Sequence, residues 1–146
     1  MKTLETNIEI SASPEKVWSI LCDFQKYPEW NPFIKELEGE AKVGEKLKVR
    51  ISPPHSKAMV FRPTVKNVIE NREFSWLGRF LFPGIFDGEH SFNIEPTKSG
   101  ALLTQKENFS GLLVPLLWRS LDRNTREGFR QMNEALKERA EDTSLS

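Results

Sequence analysis

Reactive and metal-binding side chains are scarce: 146 residues hold one cysteine, two histidines and one tyrosine. Cys22 alone forms no intramolecular disulfide, and two histidines with one cysteine cannot complete a structural zinc site, so no metal or cofactor is expected. The thiol reads either as a small buried hydrophobe, the commoner fate, or as a reactive group. Charge of one sign is also missing. Lys and Arg number 21, as do Asp and Glu, leaving a formal net charge of zero. Such a chain offers no long-range field to a polyanion, and nucleic acid is not an expected partner. No apolar run approaches the ~18 residues that span a bilayer. Met1 to Asn7 lacks the apolar stretch of a signal peptide, which predicts a soluble, cytoplasmic protein. The signatures GxSxG, HExxH, GxGxxG and the Walker loop are absent too. What is present, 38 % hydrophobic residues, suffices for one domain over residues 1–141. A chain of this length buries roughly two thirds of its unfolded surface. Residues 142–146 are expected to fray.

Hydrophobic periodicity supplies the elements. Thr3 to Ser11 alternates as a half-buried strand, and Ser13-Pro14-Glu15 then caps a short helix running to about Cys22. Asp23 to Pro32 carries two prolines and is expected to hold at most one helical turn. Strands are predicted over Glu45–Ile51, Ala58–Ile69, Glu73–Arg79, Ile85–Glu95 and Ala101–Phe109, joined by turns too short for parallel crossovers. From about Val114 to Glu141 the period changes to three and four, giving one long amphipathic helix. Its six basic residues are balanced by six acidic ones once Asp142 is counted, so its outer face reads as solvated. The pattern is α+β, an antiparallel sheet covered by one helix of about 40 Å.

Several segments carry a resemblance. Trp18, Tyr27-Pro28-Glu29-Trp30-Asn31-Pro32-Phe33, Phe61-Arg62-Pro63, Gly88-Glu89-His90-Ser91-Phe92, Glu107-Asn108-Phe109-Ser110-Gly111 and Gly128-Phe129-Arg130-Gln131-Met132-Asn133 stand in this order. Together they resemble the polyketide cyclase/dehydrase and lipid transport family of the START-like (SRPBCC) superfamily. That resemblance implies a helix-grip fold, a curved antiparallel sheet of about seven strands in the order β-α-α-β6-α around the C-terminal helix. It also implies a deep apolar cavity between sheet and helix.

The strand period places Phe74 and Trp76 on one face, and His90 and Phe92 on the same face of the next strand. Gln105 and Glu107 follow on the strand after that. If the turn at Pro96 to Gly100 closes a hairpin, His90 and Glu107 sit nearly opposite, within reach of a hydrogen bond. Three readings compete for this trio: a structural pair satisfying itself, a polar anchor for a ligand, and an acid–base pair. Binding is favoured, with His90 and Glu107 the only catalytic candidates. The aromatic residues Phe74, Trp76 and Phe92 serve equally as core or as cavity wall. On the helix, Leu117, Leu121, Phe129 and Met132 are expected to point inward.

Two apolar segments, 80–86 and 112–118, either pack together to close one end of the barrel or form the mouth of the pocket. The mouth, with Phe80, Phe82, Leu113 and Trp118, would make transient contact with a membrane, a carrier protein or a second subunit. The leading expectation is a binding protein for a hydrophobic small molecule such as a lipid or polyketide-like compound. The alternatives are a cofactor-independent cyclase or dehydratase using His90 and Glu107, and a partner-docking domain without a ligand.

Overall fold

The computed structural model describes residues 1–80 and 84–143. Alternating stretches of the sequence become β1 (Lys2–Ile10), β6 (Glu73–Phe80), β7 (Phe86–Pro96) and β8 (Ala101–Ser110). With β5 (Thr64–Ile69) they build a five-stranded antiparallel sheet in the order β1-β8-β7-β6-β5. A smaller sheet contains β2 (Ile34–Glu38), β3 (Lys48–Ile51) and β4 (Met59–Phe61) in chain order. Backbone bonds join the sheets, with the Leu47 N–H donating to Pro63 O at 2.9 Å and the Val65 N–H to Glu45 O at 2.9 Å. The architecture is α+β, two antiparallel sheets with a long C-terminal helix against the larger one, as the resemblance implied.

Three differences from the sequence reading have physical causes. The stretch expected as one strand over Ala58–Ile69 is two, broken at Arg62-Pro63. A proline has no N–H for the ladder, and the chain changes partner there from β3 to β6. β2 was not anticipated. A bulge between Ile34 and Glu36 shifts its register, so the buried residues Ile34 and Leu37 fall three apart and hide the two-residue period. The long terminal helix is not uniform: α3 (Val114–Ser120) and α4 (Arg126–Glu141) flank a π-helical segment, Leu121–Thr125. The wider π turn changes the angular phase between the two halves. Leu117, expected inside, is therefore 39 % exposed.

The first crossover follows its sequence signals closely. Ser13 Oγ accepts the Lys16 N–H at 3.2 Å at the start of α1 (Pro14–Leu21), and Pro14 occupies the first turn. A 3-10 turn (Phe24–Lys26) and α2 (Tyr27–Trp30) follow. The Tyr27 hydroxyl donates to Leu21 O at 2.5 Å, while its ring meets Trp30 edge-on at 5.1 Å. Asn31 Oδ1 then accepts the N–H groups of Phe33 and Ile34, at 3.0 and 2.8 Å, turning the chain into β2.

The core lies between the concave face of the large sheet and α4. Phe129, Met132 and Leu136 of α4 are wholly buried, as are Leu4, Phe92 and Leu103 from the strands. Each such side chain contributes about 1.5–3 kcal/mol by leaving water. Gly128 is required in this contact, because a Cβ there would run into the ring of buried Phe33. Helix and sheet thus touch along α4, and among the described residues a cleft opens between them at the end where the helix is π-wound.

Candidate functional site: a cleft beside a buried polar chain

The register β7 to β8 pairs His90 directly with Glu107, and Phe92 with Gln105. His90 is 3 % exposed, and its Nδ1 lies 3.0 Å from Glu107 Oε1. Its Nε2 meets Gln105 Oε1 at 2.9 Å. From there the polar contacts leave the sheet. Gln105 Nε2 donates to Asn133 Oδ1 at 2.8 Å, and Asn133 Nδ2 donates to Thr6 Oγ1 at 2.9 Å. A hydrogen-bonded chain therefore runs from β1 through α4 to β8 and β7 and ends at a carboxylate. Thr6, His90, Gln105 and Asn133 are all buried, where an unpaired polar group costs about 1–3 kcal/mol.

Glu107 is the end of the chain that reaches free space. A cleft of about 70 Å³ opens beside it, room for about two water molecules. Phe33, Ile51 and Pro53 contribute to its wall from the small sheet and the loop after it. Met59 and Phe61 of β4 and Phe109 of β8 add apolar surface, and the π segment supplies Leu121 and Thr125. The resemblance implied a deep cavity, and the observed space is smaller than that because aromatic rings fill the concave face. Phe74 stacks on Phe92 at 6.3 Å, Trp76 meets Phe92 at 5.9 Å, and His90 lies 4.9 Å from Phe129.

The residues named from the sequence are thereby sorted. His90, Glu107 and Leu121 line the cleft. Phe74, Trp76, Phe92, Phe129 and Met132 are buried in the core behind it, and Gln105 is wholly buried in the polar chain. Leu117 faces outward. Of the two apolar segments, the N–H groups of Leu112 and Leu113 donate to Gly84 O and Ile85 O, both at 3.0 Å, so the segments meet. Trp118 packs edge-on against Phe109 at 6.1 Å, with Lys2 Nζ 5.6 Å from its ring centre. Phe82 and the side chain of Phe80 lie outside the described residues. Cys22 is a free thiol whose pKa burial pushes up to about 12, which makes it unreactive when folded. No group of three or more metal-ligating side chains occurs among the described residues. Among them, too, no helix is long and apolar enough to cross a membrane.

Sequence reasoning missed Asn133 and Thr6. Asn133 follows Phe129 by four residues and precedes Leu136 by three, so a polar residue stood on the buried helical stripe. That signal was readable. Phe33, Pro53 and Met59 come from turns and a short strand that carry no period, so their convergence on the cleft was not.

Solved structures with this fold are numerous. A START superfamily protein from Mycobacterium smegmatis is 25 % identical, with a TM-score of 0.76 over 99 % of each chain. Protein MLL2253 from Mesorhizobium loti is 23 % identical, with a TM-score of 0.73 over 94 % of this chain and 95 % of that one. The di-domain ARO/CYC StfQ from the steffimycin biosynthetic pathway is 15 % identical at a TM-score of 0.79, and the match takes in 99 % of this chain but 52 % of StfQ. No curated protein sequence matches the chain. The model of the polyketide cyclase / dehydrase and lipid transport family matches residues 1–141, and the chain belongs to that family.

Proposed function

We propose that the chain binds one small, largely apolar molecule in the cleft between the π segment and the sheets. The observation that carries this reading is the placement of the cleft. It opens where the helix leaves regular α geometry, its wall is almost entirely hydrocarbon, and a polar pair stands at one point of that wall. Pockets built to hold small molecules share this combination of apolar surface with a few converging polar groups. A volume of about 70 Å³ is about half of the ~150 Å³ that encloses a benzene ring, so a ring-sized occupant projects through the open side of the cleft. A long acyl lipid would require β4 to move away from Leu121 and Thr125.

Titration with naphthalene, followed by its own fluorescence, tests the reading. Saturable enhancement is expected in the native chain, and it should vanish in Leu121→Asp, which places a charge on the wall at a half-buried position and is checked for an unchanged circular-dichroism spectrum. Unchanged binding in a folded Leu121→Asp variant would move the site elsewhere. No binding of any apolar probe would favour a docking domain with a filled core.

A second reading is supported by the contact between His90 and Glu107. Such a pair, at the edge of a water-poor cleft, could move a proton while the cleft holds a reactive chain in one conformer, as in a cyclase or dehydratase. Turnover of a poly-β-keto thioester by the native chain, lost in Glu107→Gln, would favour it over binding alone.

A further inference from the structure

The hydrogen-bonded chain behind the cleft can run in either of two senses. In one, Gln105 Nε2 donates to Asn133 Oδ1 at 2.8 Å and to the Phe129 carbonyl at 3.5 Å, and the His90 Nε2–H donates to Gln105 Oε1 at 2.9 Å. In the other, both amides turn over and His90 Nε2 accepts. In both, one hydrogen lies between His90 Nδ1 and Glu107 Oε1, 3.0 Å apart, so that oxygen is engaged with the ring.

Glu107 Oε2 is the atom left over. It lies over Gly88, so close that a Cβ at residue 88 would collide with it. Gly88 and Glu107 both line the cleft, the carboxylate side chain is 18 % exposed, and among the described residues no group donates to Oε2. In either proton arrangement Oε2 is an acceptor. No Lys or Arg lines the cleft among the described residues.

We propose that the occupant of the cleft is an uncharged apolar molecule bearing a hydroxyl, held by donation of that hydroxyl to Glu107 Oε2, and that the cleft rejects carboxylates. The proposal rests on the cleft reading above and narrows it. A hydroxyl supplies the missing donor and adds no charge. A ligand carboxylate would bring a second negative group against Oε2 with no cation to offset its loss of water. An ether or ketone of the same shape would accept where a donor is needed, leaving Oε2 unpaired.

The test is a calorimetric titration at neutral pH with four probes that share the naphthalene frame: 2-naphthol, 2-methoxynaphthalene, 2-naphthoate and naphthalene. The native chain should bind 2-naphthol at least about thirtyfold more tightly than 2-naphthoate, and several-fold more tightly than 2-methoxynaphthalene or naphthalene. In Glu107→Gln, checked for an unchanged melting temperature, the penalty on naphthoate should shrink to a few-fold. Should that variant not fold, Gly88→Ala serves in its place, since the new methyl pushes Oε2 aside. Equal affinity for 2-naphthol and 2-naphthoate overturns the hydroxyl assignment and leaves the cleft reading intact. A native chain that binds none of the four loses both.

Discussion

Gln105 is the link whose removal tells most about the buried polar chain. In Gln105→Leu the His90 and Asn133 side chains, each at most 3 % exposed, lose their partner. Each orphaned group costs about 1–3 kcal/mol. The apolar atoms of leucine return about 1 kcal/mol. The net loss is about 1–5 kcal/mol, a large share of the 5–15 kcal/mol that holds a typical domain together, and in the middle of that range it should lower the melting temperature by on the order of 10 °C. Urea unfolding followed by tryptophan fluorescence suits the measurement, because Trp76 is buried 4.9 Å from the His90 ring. Asn133→Leu completes a double-mutant cycle. Asn133 has already lost that partner in the Gln105→Leu background, so the second substitution should cost at least about 1 kcal/mol less there than in the native chain. A Gln105→Leu loss under about 0.5 kcal/mol, or strict additivity in the cycle, would refute the connected chain.

Three further outcomes follow from local geometry. Gly128→Ala should destabilise by about 1–3 kcal/mol in thermal unfolding despite alanine's better helix propensity, because its methyl meets the rigid Phe33 ring; a stabilised variant would show that the ring moves freely. Cys22 should resist iodoacetamide at pH 8 in the native state, where on the order of one thiol in 10⁴ is ionised, and react once the chain is unfolded in urea; rapid native labelling contradicts this. The Lys137 hydrogen bond, then the Ser11 N–H, holds the Glu141 carboxyl below its ordinary value. Its stabilising contribution is therefore present above the unfolded glutamate range, near pH 4.3, and disappears as pH falls through the lower folded value. Glu141→Gln should be less stable than the native chain at pH 7, with the difference closing in acid; a constant difference across that range would count against the contact.

The hairpin that carries the site was legible because its strands alternate without interruption. Ile85 to Glu95 and Ala101 to Phe109, joined by a short turn, bring His90 and Glu107 opposite one another from period alone. The wall of the cleft was not legible for the opposite reason. Its position depends on the π turn at Leu121–Thr125, where nothing in the residues announces the extra width, and on Phe33 and Pro53, which no period connects to the helix. The expected inward placement of Leu117 failed at the same point, since it carried a phase set by Phe129 and Met132 across a segment that resets it. The core aromatics were ambiguous in sequence because a phenylalanine that fills a cavity and one that lines it occupy the same strand positions.

On the proposed function, the gap at the π-wound end of the helix is where this chain takes up a molecule. Methyl-resolved NMR during titration with 2-naphthol tests it most directly. Ile51, Met59, Leu121 and Thr125 line the cleft, whereas Leu4, Leu103 and Leu136 are buried outside its wall. Saturable shifts confined to the first group are the expected result. Shifts centred on the second group, or on the exposed Leu112 and Leu116, would contradict the account.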